Sequence, residues 1–464
     1  MDEITFPSQK TPGGTMRRVS EVFDCWFESG SMPYAQNHYP FDEKKRAFVE
    51  DNIPANFIAE GLDQTRGWFY TLHVLSAALF ERPAFENVIV NGLILAADGK
   101  KMSKRLKNYP DPKLVIDTYG ADALRAYLIN SPVVRAEPMR FGKHAKDTSG
   151  EAVKDTVRTV VLPLWNAYNF LTTYAKADGW TPTSTEAPTT DSELDRWILS
   201  RLQSFVGNIT AEFEAYSLYN LVPRYLELCE DLNNWYIRRG RRRYWRASDE
   251  DGAGTDKQAA YQTLYHVLVT TAHAMAPVLP FFTEWLYQRL VVDLGLKQED
   301  RPSVHLCAFP TVDETRRDEA LERRVGVVRA AVGLGLSLRE QQKRGVRRPL
   351  GAMTVASTDA EIREAILAHQ ADLQAELNVR EVHVAEDDRG LVSLSAKANF
   401  KSLGRRLGKK MKVVAAAVAK LDAEAVARLL SDGTIELEGE SLSMDDVIIV
   451  REPCEGQVVE SDGE

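Results

Sequence analysis

The sequence predicts a multidomain chain in three parts. These are an α/β domain over residues 1–144, an all-α bundle over 145–310 and a small α+β domain over 311–453, followed by an acidic tail at 454–464. Three observations predict this order. Short apolar runs alternate with Gly turns and helical periodicity in the first part. Helical periodicity alone fills the second, and β-branched runs return between helices in the third. A length of 464 residues suits about three domains of ordinary size.

In the α/β part, residues 56–59 read as a strand, Glu60-Gly61 ends it, and a periodic apolar run over 68–79 reads as a helix. A strand, a Gly turn and a helix in succession bring carboxylates and amides to a nucleotide at the carboxyl edge of a parallel sheet. Gly61 lets the backbone approach a ligand closely. Glu60 and Asp63 can accept ribose hydroxyls, and Gln64 can reach a base edge or a backbone group. The plainer reading makes Gly61 a turn and Asp63 a helix cap.

Residues 88–91 read as a second strand, with 93–97 as its continuation toward a turn at Asp98-Gly99. There the chain runs Asp98-Gly-Lys-Lys-Met-Ser-Lys-Arg-Leu-Lys107. Lysines on a Gly-primed loop can close over a triphosphate as charge builds on its leaving phosphates. Alone, such a string reads as a solvated basic loop. A helix over 123–130 follows, closed by Ser131-Pro132.

The helical part is interrupted by a Thr/Pro/Ser-rich linker at 178–191 and a Gly loop at 252–254. Leu221, Tyr225, Leu228, Leu232 and Trp235 recur at spacings of four and three, which makes one buried helix face. That helix runs into Arg238, Arg239, Arg241, Arg242, Arg243 and Arg246, six arginines within nine positions. Such density repels itself unless an anion is near. One reading is an RNA backbone contact with Tyr244 or Trp245 stacking on unpaired bases. The other is a solvated helix end pairing with acids such as Glu227 and Asp231.

In the third part, a helix is expected over 318–342, strands over 352–356, 379–384 and 447–450, and helical runs over 361–377 and 415–430. Lys397, Lys401, Arg405, Arg406, Lys409, Lys410 and Lys412 form a second basic cluster. It reads equally as an RNA contact and as a helix face balanced by nearby acids.

Hydrophobic content of 44% and charged content of 27% are those of an ordinary soluble globular protein. A net charge of −9 does not advertise nucleic acid, so RNA binding must come from local basic patches. Cys25, Cys229, Cys307 and Cys454 are scattered, which argues against a zinc site or a disulfide framework and suits a reducing cytosol. No apolar run approaches membrane length, so a soluble, cytoplasmic protein is expected.

The motifs also carry a resemblance. Phe23-Asp-Cys-Trp-Phe-Glu-Ser-Gly-Ser-Met-Pro-Tyr-Ala-Gln36, the Glu60-to-Phe69 segment with its Arg66-Gly-Trp-Phe69, Asn87-Val-Ile-Val-Asn-Gly-Leu-Ile-Leu-Ala96 and Lys101-Met-Ser-Lys-Arg105 resemble the isoleucyl-tRNA synthetases of class I, in that family's order and spacing. The Met32-Pro-Tyr-Ala-Gln36 form resembles the eukaryotic and archaeal-like branch. The resemblance implies part of a Rossmann-type class I catalytic domain, a helical-bundle anticodon-binding domain and an α+β carboxyl-terminal domain that contacts tRNA. It implies that Trp26 and Trp68 wall the isoleucine side-chain pocket, where two indole faces shape a slot for a branched aliphatic group. Glu60, Gly61, Asp63 and Gln64 would hold the adenosine end of the adenylate. Lys101 and Lys104 would serve the ATP phosphates as catalytic cations, with Ser103 beside them.

The implied substrates are isoleucine and ATP with Mg2+, and the implied partner is tRNA(Ile). A monomer with no zinc and no membrane contact is expected. The family's first signature, of His-x-Gly-His type, is absent from the chain, as is its editing insert, so a carboxyl-terminal fragment inactive without its other half is expected. The alternatives are a tRNA-binding protein that has lost catalysis and a valyl- or leucyl-type relative.

Overall fold

The computed structural model describes residues 3–103, 105–142, 150–246, 253–297, 301–388, 390–454 and 458–461. The chain forms two compact units, Met1–Arg317 and Asp318–Glu464.

The first unit opens with an antiparallel hairpin of β1 (Thr5–Pro7) and β2 (Thr15–Arg17), then α1 (Cys25–Ala35) and α2 (Glu43–Asp51). Asp24 starts α1 by accepting the Trp26 and Phe27 amides at 2.8 and 3.1 Å. β3 (Ala55–Gly61) is followed by α3 (Trp68–Phe80) and pairs in parallel with β4 (Phe85–Asn91), with Ile58 opposite Val88 and Gly61 opposite Asn91. Phe57 and Val88 on this pair are 50% and 44% exposed.

The expected continuation of β4 is a strand of a different sheet. β5 (Ile94–Ala96) pairs in parallel with β6 (Met139–Phe141), after α4 (Pro112–Tyr119) and α5 (Ala121–Ile129). Gly92 makes the break. Its N–H donates to the Val133 carbonyl at 2.7 Å, and a Cβ there would lie 1.9 Å from the Glu137 carbonyl oxygen. Only glycine allows so close an approach.

The helical part comprises α6 (Glu151–Thr156), α7 (Leu162–Asp178), α8 (Glu193–Glu214), α9 (Leu218–Glu230), α10 (Arg238–Trp245), α11 (Ala253–Met275) and α12 (Pro280–Tyr287). A wider π-type stretch, Asp231–Ile237, carries α9 into α10 without a break. The face from Leu221 to Trp235 is buried as its spacing predicts. Asp195, in the first turn of α8, is fully buried at the centre of a charged network. It accepts two bonds of 2.7 Å from Arg243, one of 2.7 Å from the Tyr236 hydroxyl and one of 3.0 Å from Thr190.

Arg243 also reaches Asp256 on α11 at 2.7 Å. Burial alone would lower the guanidinium's pKa, but the two carboxylates hold it above its ordinary value. The α/β part docks on the bundle by polar caps. Asp122 on α5 accepts the Phe282 amide in the first turn of α12 at 2.6 Å, and Arg125 donates to the Pro277 carbonyl at 2.8 Å. Among the described residues no helix is long and apolar enough to cross a membrane.

The second unit begins with α13 (Glu319–Gln341), capped by Asp318. β7 (Leu350–Ala356), α14 (Ala360–Ala368), α15 (Gln370–Leu377) and β8 (Val379–Ala385) follow, with β7 and β8 parallel. Next come β9 (Val392–Ala398), α16 (Phe400–Leu407), α17 (Met411–Val418), α18 (Ala423–Asp432), the β10 (Thr434–Leu437) to β11 (Glu440–Ser443) hairpin, and β12 (Val447–Pro453), antiparallel to β9. Two expected helical runs are each broken. Residues 361–377 divide at His369. Residues 415–430 divide where Asp422 accepts the Ala425 amide at 2.8 Å and starts α18.

Two stability outcomes follow from the bundle. Asp195→Ala leaves a buried guanidinium short of its main partner and lowers the urea-unfolding free energy by about 3–5 kcal/mol, while Asp195→Leu combined with Arg243→Met recovers most of it. An Asp195→Ala protein unfolding within about 1 kcal/mol of the native chain would refute the network's weight. The second concerns His273, whose Nε2 is buried without a hydrogen-bond partner. Burial, aided by the charges of Arg301 and His266, pushes its imidazole from 6.5 down to about 4. The unfolded chain therefore takes up this proton first as pH falls. Bundle stability is full above pH 6.5 and declines by about 1.4 kcal/mol per pH unit toward 4. Unfolding midpoints measured across that window should lose this slope in His273→Gln.

Candidate active site and basic helix

β3 delivers Glu60 and Gly61 to its carboxyl end, and a 3-10 turn, Leu62–Arg66, carries Asp63 and Gln64 toward α3. Glu60 and Asp63 are exposed. Asp63 folds back over Gly61 so closely that a Cβ there would lie 2.7 Å from its Oδ1. The glycine therefore makes room for a carboxylate as well as for a ligand. Of the two contacts expected of Gln64, a base edge or a backbone group, the structure shows the second. Its Oε1 accepts the Trp68 amide at 2.9 Å, so its carbonyl end caps α3.

The two tryptophans converge on Gly67. A Cβ at Gly67 would lie 2.8 Å from the ring of Trp26, and Trp68 is the next residue in the chain. The Trp68 indole N–H donates to the Ser29 carbonyl at 3.0 Å, which ties α3 to α1. Gly30 is equally confined, since a Cβ there would lie 2.9 Å from Thr71. Two glycines thus allow α1 and α3 to meet closely, with the Trp26 ring against Gly67 and the Trp68 indole bonded to Ser29. Trp26 remains 41% exposed, so it is not a core residue.

The lysine loop leaves β5 through a tight turn. The Gly99 amide donates to Ala96 at 2.8 Å, the Lys100 amide to Asp98 Oδ1 at 3.0 Å, and Gly99 has φ +82°. Lys100 pairs with Asp98 at 3.3 Å, so its charge is partly spent within the turn. Lys101, Arg105 and Lys107 are exposed, and among the described residues none of them has a carboxylate partner. Lys104 lies outside the described residues.

The loop's brace is Asn108, which sequence reasoning missed. Its Oδ1 accepts the Ser103 amide at 2.9 Å and its Nδ2 donates to the Lys101 carbonyl at 3.2 Å. The signal was available, since an amide side chain just beyond a cationic loop can satisfy one donor and one acceptor of that loop. The Glu60–Trp68 turn sits on the β3–β4 sheet and the lysine loop on the β5–β6 sheet. No hydrogen bond or ion pair joins the two among the described residues.

On the basic helix the six arginines divide. Arg243 is 13% exposed at its side chain and bound to Asp195 and Asp256, so it belongs to the core. Arg238 donates to the Asn234 carbonyl at 2.7 Å, and Arg239 lies 4.8 Å over the Trp235 ring. Arg241, Arg242 and Arg246 are exposed. The stacking role read for Tyr244 does not hold. That ring is 2% exposed, and its hydroxyl donates to the Ala260 carbonyl at 3.0 Å. Trp245 is exposed and donates its indole N–H to the Tyr174 hydroxyl at 2.9 Å. Of the acids named as rival partners, Asp231 pairs with Arg201 at 2.7 Å and Glu227 with Arg224 at 3.6 Å.

Comparison with known proteins places the parts of the chain among families. Residues 2–140 match the family model of tRNA synthetases class I (I, L, M and V), and residues 195–354 match that of the anticodon-binding domain of tRNA ligase. The chain is 44% identical over 469 residues to the isoleucine--tRNA ligase of Protochlamydia amoebophila, covering 100% of this chain and 43% of that protein. The isoleucine--tRNA ligase of Treponema denticola is 44% identical over 467 residues, covering 97% and 41%. The chain thus spans less than half the length of these relatives. Among solved structures, the LeuRS of Agrobacterium radiobacter K84, in ternary complex with tRNA and LeuAMS, superposes with a TM-score of 0.50 at 19% identity. That match covers 68% of this chain and 36% of the other, and it speaks to the fold. The chain belongs to the class I tRNA synthetases, and isoleucine--tRNA ligases are its homologues along its whole length.

Proposed function

We propose that the chain supplies the lysine-loop part of the active site and the anticodon-binding helices of an isoleucine--tRNA ligase, a cytoplasmic monomer. The observation that carries this reading is the exposed, Asn108-braced Lys101 loop, in one domain with the exposed carboxylates of Glu60 and Asp63. In the reaction, a carboxylate oxygen of isoleucine attacks the α-phosphorus of ATP. The bond to the bridging oxygen breaks, and pyrophosphate leaves with the electron pair. A ribose hydroxyl at the tRNA 3′ end then attacks the acyl carbon, and AMP leaves. The divalent ion enters as part of the substrate, Mg·ATP.

Each group has a task. Glu60 and Asp63 accept ribose hydroxyls beside the bare backbone of Gly61, while Gln64 holds the start of α3. Trp26 and Trp68 form the slot for the isoleucine side chain. Lys101, with Lys104, meets charge that appears on the leaving phosphates mainly in the transition state. The Asn108 bond to the Ser103 amide leaves the Ser103 hydroxyl for a phosphate oxygen. Arg241, Arg242, Arg246 and Trp245 face the tRNA, and Arg243 holds their helix in place. The half-exposed β3–β4 pair favours a second reading, tRNA binding without catalysis, because parallel strands ordinarily work in sheets covered on both faces.

One experiment separates the two readings. ATP–pyrophosphate exchange is measured with the chain mixed with a polypeptide spanning the part of the relatives it lacks. Exchange dependent on isoleucine, and weak with leucine or valine, supports the ligase. Absent exchange with intact tRNA binding supports the second reading. In the exchanging complex, Lys101→Ala lowers kcat by about 100-fold with little change in the isoleucine KM. Asn108→Ala moves kcat in the same direction by a smaller factor. An equal loss in isoleucine binding would remove Lys101 from the phosphate role.

A further inference from the structure

The lysine loop has a neighbour in space that lies well beyond it in the chain. After the Asp98-Gly99 turn the backbone folds back along β5. The Ala96 amide donates to the Lys100 carbonyl at 2.9 Å, and Lys101 stands opposite Leu95 in an antiparallel bridge. On the other edge of β5, Arg140 of β6 stands opposite the same Leu95 in parallel register. Residues opposite one another in a sheet project to one face. Met139 and Phe141 are buried, and Ile94 and Met102 pack against the same core. Alternation therefore sends Arg140, Leu95 and Lys101 together to the outer face. There Arg140 and Lys101 are exposed, two strand spacings or about 10 Å apart at the backbone.

Neither cation is neutralised at home. Asp98, the acid of the turn, pairs with Lys100 at 3.3 Å, and Glu137, just before β6, pairs with Arg135 at 3.9 Å. Among the described residues no carboxylate pairs with Arg140 or Lys101. The Arg140 guanidinium lies against Gly99, where a Cβ would stand 3.1 Å from its Nε, 3.1 Å from its Nη2 and 3.2 Å from its Cζ. Distances so nearly equal put the flat face of the group over the glycine, so its N–H bonds run in a plane beside the turn and not into it. A guanidinium seated in this way offers parallel donors of the spacing that phosphate oxygens accept, which the point charge of a lysine does not.

We infer that Arg140 is a phosphate-binding residue of the activation step, acting with Lys101 on the pyrophosphate that leaves ATP. Two like charges on one sheet face repel, and an anion held between them turns that repulsion into attraction. A diphosphate carries enough charge for both. The two cations divide the work by what carries them. Arg140 projects from a strand, so its donors hold a phosphate in a fixed place and act on pyrophosphate binding. Lys101 leads into the loop and meets charge that develops as the bond breaks. The assignment rests on the phosphate role proposed above for Lys101.

The test is isoleucine-dependent ATP–pyrophosphate exchange by the full chain mixed with the polypeptide it lacks, over a range of inorganic pyrophosphate. The native chain is compared with Arg140→Ala, Arg140→Lys and Lys101→Ala. Arg140→Ala is expected to raise the pyrophosphate KM by about tenfold or more with the isoleucine KM unchanged, the size of a lost hydrogen bond to a charged group. Arg140→Lys is expected to recover part of that loss. Thermal unfolding checks each variant, and Arg140→Met, which keeps the apolar stem, replaces Arg140→Ala if the latter unfolds early. A native pyrophosphate KM in Arg140→Ala, while Lys101→Ala slows exchange, overturns the inference and leaves the Lys101 role standing. A fall in kcat alone, equal in the Ala and Lys variants, also overturns it, because it marks Arg140 as a support of the Gly99 turn. A native mixture without exchange overturns both.

Discussion

The helical part is organised around one buried carboxylate. Asp195 sits at the start of α8, where a negative charge suits the helix dipole, but it is also withdrawn from water. A bare carboxylate there would be strongly disfavoured, so its four close donors are a structural necessity. Three of those bonds come from Tyr236, in the stretch that carries α9 into α10, and from Arg243 on α10. The arginine-rich helix is therefore fixed by its least visible arginine. Arg241, Arg242 and Arg246 owe their outward direction to the inward direction of Arg243. A row of six arginines looks uniform in sequence, yet one of them spends its charge inside so that the others can spend theirs outside.

This is also where sequence reading reached its limit. Periodicity identified the Leu221–Trp235 face, because burial of a helix face leaves a direct imprint on spacing. The strand–turn–helix around Gly61 was legible for a similar reason, since glycines and an apolar run punctuate it. Periodicity could not separate Arg243 from Arg242, because the discriminating partners, Asp195 and Asp256, lie 48 and 13 residues away. Tyr244 was misread for the same reason, its acceptor being a carbonyl sixteen residues on. In the second unit, β9 has a readable alternation from Val392 to Ala398. It lies against β12, some fifty residues later, and a strand's pairing is a long-range fact that local pattern does not carry.

Gln64 and Asn108 show a different limit. Both are polar residues beside the proposed ligand site, where residue type allows contact with either ligand or backbone. Their hydrogen bonds go to the backbone of Trp68, Ser103 and Lys101. Type and position locate the neighbourhood of a site, while the direction of a side-chain amide decides whether it touches the ligand or holds what does. The distinction has a kinetic meaning. A contact residue alters ligand binding directly, whereas a brace alters how often the loop presents its cations in register.

In the role proposed for it, the lysine loop illustrates why such bracing is needed. Cations that act on a leaving pyrophosphate must be close when charge develops and yet let product depart. A loop held by many bonds would retain product, and an unheld one would lose orientation before the reaction. Asn108 gives an intermediate solution. Its two hydrogen bonds fix the backbone at Lys101 and Ser103, and the Lys101 side chain stays exposed and unpaired. Gly99 at the loop's entry, in the left-handed region, turns the chain without placing a side chain against the Arg140 guanidinium, which would lie 3.1 Å from a Cβ there. Backbone order and side-chain freedom are thus assigned to different atoms of one short loop, the combination that the proposed phosphate role calls for.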